Sequence, residues 1–278
     1  MDRTQFIGSS DIAAVLGLNP YRTAYEVWLE KTGRLTEPPA PTLAQQCGIA
    51  LEPVILEWAA PKIGPYRPGP HEYRIEGTPI IDHPDAVTES GCPVEVKTAG
   101  IVGPITGTWG APQTDNIPTA YLAQAHVHLI ATGGEQCWVP TLLGGYAPRM
   151  YIVQRDVELG QTIIQKVVQW WETYVVKNVP PQVTAPLPEG IWRRVRRTPD
   201  KIVSVPAELV QAWQAVKQQR KEQEEKERLL HDQLVAALQD AEAGQTEDGH
   251  MVTFFANSRG ARTLRIRNAK ETANVISS

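Results

Sequence analysis

The chain has 278 residues, with 27 Lys and Arg against 31 Asp and Glu, a formal charge of −4, and a hydrophobic content of 42%. This composition is that of a folded globular protein and excludes a wholly disordered chain; no apolar run approaches the roughly 18 residues that a membrane span requires. The start of the chain carries no apolar signal segment, and three widely spaced cysteines disfavour a disulfide framework, so we expect a cytoplasmic protein.

The charge of the chain is unevenly distributed. Residues 1–192 hold 12 basic and 19 acidic residues, whereas residues 193–278 hold 15 basic and 12 acidic residues. A protein that only coats nucleic acid is usually basic throughout. The acidic first part therefore favours a site in which carboxylates bind a metal ion. The basic second part favours local patches that bind a polyanion.

The first hundred residues change from helical to strand-like spacing. Helix signals cover residues 8–34, with a break at Asn19-Pro20, and return over residues 43–60. Alternating patterns then predict strands, which lie at residues 71–76, 79–88 and 92–98. A tight turn at residues 89–91 joins the last two strands as a hairpin.

The next segment alternates helices and strands. The sequence predicts helices over residues 119–132 and 156–178, and strands over residues 136–143 and 149–154. Helices, a strand meander and further helices are typical of an α+β (or α/β) core with a mixed sheet.

The last third of the chain has a different composition. Residues 182–204 are rich in proline and carry four arginines between positions 193 and 197, residues 206–243 predict a long polar helix, and residues 250–267 predict a hairpin. We therefore expect three parts. They are a main domain at residues 1–181, a Pro/Arg-rich linker at 182–204, and an appendage of charged helix and hairpin at 205–278.

The predicted hairpin brings charged side chains together. With the turn at its centre, Asp85 lies opposite Glu95 or Val96, and Glu95 points to the same face of the sheet as Lys97. Two close carboxylates repel each other unless a positive charge lies between them, so an oxygen-ligated Mg²⁺ or Mn²⁺ is the natural occupant. Beside such a metal, Lys97 would orient or deprotonate an attacking water. The alternative is a surface salt bridge between Glu95 and Lys97 on an edge strand.

An acidic residue followed after about ten residues by Glu-x-Lys resembles the core of the PD-(D/E)xK nuclease superfamily. Several further segments resemble the YqaJ-type viral recombinases, which are lambda-exonuclease-like phage nucleases. These segments are Ile7–Pro20, Tyr25–Gly33, Gly48–Pro53, Asp85 with Glu95–Lys97, and Ile117–His126. The resemblance covers about residues 3–181 and implies a restriction-endonuclease-like core, in which a central mixed sheet is flanked by helices.

The resemblance also implies a set of metal ligands. Asp85 and Glu95 match the main ligands of the family, and the carbonyl of Val96 supplies a further oxygen. Glu52, on the helix before the sheet, matches the first acidic residue, which reaches the metal directly or through water; the alternative is an ordinary surface charge. We expect one or two Mg²⁺ or Mn²⁺ ions in each active site.

Two further side chains complete the catalytic set that the resemblance implies. Lys97 matches the lysine that orients the water, and Gln124 matches a glutamine that lies near the active site on the following helix. His126 and His128 lie on the same predicted helix but point in different directions, so we do not expect a histidine metal site.

The start of the chain suggests a second binding site. Hydroxyl and backbone N–H groups at a helix start are suited to phosphate, and Arg3, seven residues before Ser10, resembles the pair that holds the 5′-phosphate in lambda-type exonucleases. We therefore expect Arg3, Ser9 and Ser10 to bind this end of the DNA. The alternatives are a solvated arginine at a frayed terminus and a simple serine helix cap.

The expected function is a Mg²⁺-dependent 5′→3′ exonuclease that acts on linear double-stranded DNA. It would leave 3′ single-stranded overhangs for a single-strand annealing partner in phage-type homologous recombination, in a bacterial or phage-infected cell. Family members commonly form ring-shaped homotrimers. Two alternatives remain open, namely a phage-type endonuclease with the same site and a non-catalytic DNA-binding adaptor that uses the basic tail.

Overall fold

The computed structural model of the protein describes residues 3–37, 40–100 and 108–268. The chain divides into two compact units, Met1–Thr198 and Pro199–Ser278. In the part of the chain that is described, no helix is both long and apolar enough to cross a membrane. All three cysteines carry free thiols.

The helices of the first unit agree closely with the sequence pattern. They are α1 (Ser9–Val15), α2 (Ala24–Lys31), α3 (Leu43–Ile63), α4 (Thr119–Thr132), α5 (Val157–Trp170) and α6 (Ile191–Arg194). Thr23 starts α2 and Thr42 starts α3, and each threonine side chain accepts a hydrogen bond from a backbone N–H of the first turn. The helix predicted over 156–178 begins as α5 and continues as a π-helical segment, Trp171–Val176.

The strands of the first unit form two sheets. In chain order they are β1 (Ile7–Gly8), β2 (Tyr66–Pro68), β3 (Tyr73–Arg74), β4 (Ile80–Asp82), β5 (Ala86–Thr88), β6 (Pro93–Val94), β7 (Lys97–Ala99), β8 (Gln136–Leu143) and β9 (Ala147–Gln154). The small sheet has the order β1-β4-β3. In the main sheet β5 pairs with β2 and β6, and β8 pairs in parallel with both β6 and β7 and antiparallel with β9. This is a mixed sheet, as the sequence predicts.

The two strands predicted at 79–88 and 92–98 are each interrupted, which corrects the sequence reading. Residues 83–85 separate β4 from β5, where Pro84 has no N–H to donate to a strand ladder. Residues 95 and 96 separate β6 from β7, although both strands pair with β8. The physical reason is that the backbone N–H of Val96 donates to the carboxylate of Asp85 at 2.7 Å instead of joining the ladder.

Helices cover both faces of the main sheet. On one face, Leu56 and Ile63 of α3 pack with Val94 and Met150. On the other face, α4 packs against the buried side chain of Tyr151 and its strand neighbours. The predicted fold class, an α+β core with a central mixed sheet flanked by helices, is therefore confirmed, and it agrees with the restriction-endonuclease-like core that the resemblance implies.

Part of the Pro/Arg-rich segment belongs to the first unit and packs with its helices. Ile191 is buried in the core formed with α1, α2 and α5. The carbonyl of Arg194 accepts a hydrogen bond from the N–H of Thr36 at 2.8 Å, and Val195 forms a β-bridge with Leu35. The functional division into a nuclease domain, a linker and an appendage stays a prediction.

The second unit consists of a long helix and a small sheet. Its elements are α7 (Ala207–Leu238), β10 (Ala243–Gln245), β11 (Met251–Ala256) and β12 (Arg262–Arg267), with strand order β10-β11-β12. The predicted hairpin is confirmed, but the predicted helix end at residue 243 is wrong. The helix stops at Leu238 because Gln239 adopts a positive φ of 51° and residues 243–245 join the sheet.

Candidate active site

The hairpin of β5 and β6 places the predicted carboxylates together. Ala86 pairs with Val94 in this hairpin, so Asp85 lies opposite Glu95 at the next position away from the turn. The expected register is therefore confirmed. The strand interruption described above also holds Asp85, because one of its carboxylate oxygens accepts the N–H of Val96.

Glu95 lies at the centre of a closed set of polar contacts. Its Oε1 atom accepts a hydrogen bond from Nε2 of Gln124 at 2.7 Å and a second one from Nζ of Lys97. Nζ of Lys97 also donates to Oε1 of Gln124 at 3.0 Å. The structure thus brings three of the predicted catalytic side chains into direct contact.

The second oxygen of Glu95 faces a histidine that the sequence analysis did not include in the site. Nε2 of His128 lies 2.9 Å from Oε2 of Glu95, and Nδ1 of His128 lies 2.7 Å from Oδ1 of Asp82. His128 and Asp82 are fully buried. The available signal was the spacing, because His128 is four residues after Gln124 and a helix places such residues on one face.

The charges around Glu95 keep it ionised. Burial favours its neutral form, but the ammonium of Lys97 and the imidazolium of His128 together lower its pKa to about 2. Burial likewise opposes the charge of His128, and Glu95 with Asp82 outweighs it and raises the pKa of His128 to about 10. The site therefore has a fixed anion held between two cations.

Lys97 is also held in its charged form. Burial lowers the pKa of its amine, but the carboxylates of Glu95 and Asp85 outweigh burial, so the net pKa lies above the usual value. Its Nζ atom lies 4.7 Å from the ring centre of Tyr121, a cation–π distance. At neutral pH this side chain is a proton donor, not a base.

For Asp85 and Glu52, burial and nearby negative charge outweigh nearby positive charge, so the pKa of each carboxyl is raised. Burial, reinforced by the negative charge of Glu95, raises the pKa of Asp85 to about 8. The same two causes, in the same order, raise the pKa of Glu52 on α3, so the structure places Glu52 within electrostatic reach of Glu95. The positive charge near these two carboxyls does not balance the negative charge that all the surrounding carboxylates would carry.

The donor chemistry of this region fits a hard divalent cation. A cation beside Asp85 and Glu52 would lower the raised pKa of both carboxyls, and carboxylate and carbonyl oxygens are the ligands that Mg²⁺ takes. In the described part of the chain, however, no three or more His, Cys, Asp or Glu side chains are already arranged to hold a metal ion. Both oxygens of Glu95 are engaged by neighbours on α4 and β7, so a metal would have to replace one of these contacts.

The predicted phosphate-binding residues lie at the start of the chain, apart from this set of contacts. Gly8, not a serine, occupies the cap position of α1, and Ser9 and Ser10 are its first two residues. Between residues 3 and 268, no described hydrogen bond joins either serine to Glu95 or Lys97. Arg3 lies in a short 3₁₀ turn, Arg3–Gln5, and its side chain is outside the described part.

A largely buried ion-pair network joins the first turn of α1 to the last turn of α2 through Arg22, which precedes α2. The carboxylate of Asp11 pairs with Arg22 and, at 2.9 Å, with Nζ of Lys31, and Arg22 also reaches Glu30 at 2.6 Å. Asp11 and Lys31 are both buried. This network holds the two helices together, and the role of the neighbouring serines in phosphate binding stays a prediction.

Comparison with known proteins supports the resemblance seen in the sequence. Residues 1–135 match the model of the YqaJ-like viral recombinase domain. The chain is 25% identical over 262 residues to the uncharacterized protein YqaJ of Bacillus subtilis (strain 168), covering 88% of this chain and 78% of that protein. The predicted resemblance to YqaJ-type viral recombinases is therefore confirmed, and the matched residues include Glu95 and the side chains that contact its carboxylate.

Solved structures with a similar arrangement share little sequence with the chain. The alkaline exonuclease LHK-Exo from Laribacter hongkongensis is 17% identical, with 63% of this chain and 90% of that chain covered and a TM-score of 0.48. A phage related exonuclease from Haemophilus somnus 129PT is 14% identical, with 62% and 96% covered and a TM-score of 0.42.

Proposed function

We propose that the protein is a metal-dependent deoxyribonuclease that degrades linear double-stranded DNA from its 5′ ends. The observation that carries this proposal is the meeting of Asp85, Glu95 and Lys97 at the interrupted strands, inside the segment that matches the YqaJ-like viral recombinase domain. Carboxylates beside a lysine provide what phosphodiester hydrolysis requires, a place for a cation and a group that orients water.

The residues would divide the chemistry as follows. Asp85, Glu95, the carbonyl of Val96 and Glu52 would hold one or two Mg²⁺ or Mn²⁺ ions, which when bound lower the pKa of water and neutralise the phosphate. Lys97 stays protonated beside Glu95, so it orients the attacking water and stabilises negative charge instead of removing the proton.

Gln124 supports this arrangement from α4. It accepts a hydrogen bond from Lys97 and donates one to Glu95, so it fixes the amine and the carboxylate relative to each other. Holding these two groups in place keeps them close to the geometry that the reaction requires. Contacts to the DNA backbone suffice for this reaction, so we expect little sequence preference.

Digestion from the 5′ end would leave 3′ single-stranded overhangs for a single-strand annealing protein in phage-type homologous recombination. The description of the matched domain as a viral recombinase supports this role. Arg3, Ser9 and Ser10 would hold the 5′-phosphate, residues 1–181 would form the nuclease domain, and a homotrimer would enclose the duplex. The cell that contains it would be bacterial or phage-infected, with the protein in the cytoplasm.

The test compares linear and covalently closed duplex DNA in Mg²⁺, in Mn²⁺ and in EDTA. The proposal predicts loss of linear DNA only, requiring a divalent metal, with early release of a label at the 5′ end and late release of one at the 3′ end. Lys97→Ala should be inactive, and Lys166→Ala, an exposed lysine on α5, serves as its matched control.

Two results would change the proposal. Equal cleavage of closed circles would replace the exonuclease by an endonuclease with the same site. Absence of cleavage in both metals, with duplex binding retained, would favour the DNA-binding adaptor.

A further inference from the structure

The three-stranded sheet of the second unit has two unlike faces. Val252, Phe254 and their cross-strand partners form the face toward α7, where Val252 and Leu238 are buried and the ring of Phe254 meets His231 edge-on at 6.2 Å. The alternate residues form the other face, which we call the open face. It carries Met251, Thr253 and Phe255 of β11 and Thr263, Arg265 and Arg267 of β12.

The open face combines an exposed aromatic ring with two arginines. Phe255 is 53% exposed, so its ring is accessible to a ligand on this face. It pairs across the strands with Thr263, so Arg265 is its diagonal neighbour on the same face. Within the described residues, neither Arg265 nor Arg267 forms an ion pair, whereas Arg262 on the opposite face is engaged by Glu242 at 3.3 Å.

The local sequence strengthens the positive charge of this face. Residues 249–268 contain four arginines and neither aspartate nor glutamate. Arg265 and Arg267 are two positions apart on one strand, which is about 7 Å at the rise of an antiparallel strand. Two guanidinium groups at this spacing can each contact a separate phosphate of one extended nucleic-acid strand.

We propose that the open face binds single-stranded DNA, with Phe255 stacking on a base and Arg265 and Arg267 contacting its phosphates. A flat sheet face with an aromatic ring among cations is the arrangement that binds unpaired bases, because a ring can stack only on a base that is not already stacked in a duplex. The choice of DNA rests on the proposed function, which produces a 3′ single strand. The site itself is independent of the nuclease residues.

The test measures binding of the full chain to a fluorescein-labelled 20-residue oligo(dT) and to a 20-base-pair duplex by fluorescence anisotropy in EDTA, where no digestion occurs. Phe255→Ala should weaken oligo(dT) binding by about 5- to 150-fold, with a smaller effect on the duplex. Phe255→Trp should restore binding, because it keeps a stacking ring. Because Phe255 is exposed and Phe255→Trp should bind as the unmodified chain does, weak binding by Phe255→Ala would reflect a missing contact and not an unfolded protein.

The arginines give a second readout. Each phosphate contact to a single strand contributes about 0.7 to the slope of log K against log salt concentration, so the double variant Arg265→Ala/Arg267→Ala should reduce the slope by about 1.4. Arg228→Ala, which removes an exposed arginine of α7, should change neither affinity nor slope measurably. Unchanged oligo(dT) binding in the Phe255→Ala and double-arginine variants would overturn the inference, as would equal losses for oligo(dT) and duplex.

The same proteins separate this inference from the proposed function. In Mg²⁺, initial digestion of linear duplex by Phe255→Ala should match that of the unmodified chain. If the unmodified chain digests nothing but the variants still lose oligo(dT) binding, the proposed function fails and the single-strand site stands. If digestion proceeds and oligo(dT) binding is unchanged by the variants, the proposed function stands and the single-strand site fails.

Discussion

Replacing Asp85 by asparagine should stabilise the protein, and increasingly so as the pH rises. The carboxyl of Asp85 has its pKa raised from 3.8 to about 8, first by burial and then by the negative charge of Glu95. Because the folded pKa lies above the unfolded one, the folded state binds this proton more tightly. The stability it contributes is therefore complete below about pH 4 and is lost as the pH rises through 8.

The magnitude follows from the pKa difference. Between pH 5 and pH 8 the carboxyl stays ionised in the unfolded chain and protonated in the folded chain, so stability falls by about 1.4 kcal/mol per pH unit, about 4 kcal/mol in all. Solvent reaches part of Asp85 and screens it, so we expect about half of this. Asparagine keeps the shape and the oxygen that accepts the N–H of Val96, so the charge is the main change.

The assay is urea unfolding in EDTA at pH 5, 7 and 9. The free energy of unfolding of Asp85→Asn should exceed that of the unmodified chain by a margin that grows by about 2 kcal/mol over this range, while Asp115→Asn, an exposed control, should give a constant margin. Mg²⁺ should reduce the margin at pH 9, because a cation offsets the carboxylate charge. A margin that is constant or shrinks with rising pH would mean that the folded state does not raise the pKa of Asp85.

Three further predictions concern the contacts around Glu95. Lys97→Ala should lower kcat for nucleotide release by at least about 10²-fold at saturating duplex, because it removes the group that we propose orients the attacking water. Gln124→Ala should lower activity by about 10- to 100-fold, since it supports both Lys97 and Glu95, and a Mg²⁺ titration should show whether the loss lies in kcat or in metal affinity. His128→Asn should lower the free energy of unfolding by about 3–5 kcal/mol by leaving Asp82 buried without its cation, and Asp82→Asn combined with it should cost less than the sum of the two single changes, as urea unfolding would show.

Each of these predictions has a result that contradicts it. Full activity of Lys97→Ala at equal protein concentration would remove Lys97 from the mechanism. Unchanged activity in Gln124→Ala would mean that its hydrogen bonds are only structural. Strict additivity of the His128 and Asp82 changes would show that the two side chains do not act as a pair, despite their 2.7 Å separation.

The local contacts of the candidate site could be predicted from the sequence, whereas the contacts that depend on packing could not. The register of a hairpin follows from its turn, so the meeting of Asp85 with Glu95 and the shared face of Glu95 and Lys97 were predictable. The contact of His128 with Asp82 depends on how α4 lies across the sheet, and two residues 46 positions apart carry no local signal of it.

The interruption of the strands was hidden for a related reason. The alternation of Val94, Glu95 and Val96 predicts one continuous strand. The structure breaks it because the N–H of Val96 finds a better acceptor in the buried carboxylate of Asp85, a choice made by tertiary contact. The end of α7 at Leu238, five residues earlier than predicted, likewise reflects the pairing of residues 243–245 with β11.

A time course of nucleotide release from a linear duplex with 5′-phosphate ends in Mg²⁺ tests the nuclease function and its site together, with closed circular duplex alongside and Lys97→Ala as the comparison. Only the linear duplex should be degraded, from the 5′ ends, and the variant should release nothing above background. Degradation of linear DNA by Lys97→Ala at the rate of the unmodified chain would contradict the assigned site, and intact linear DNA with the unmodified chain in both Mg²⁺ and Mn²⁺ would contradict the nuclease function itself.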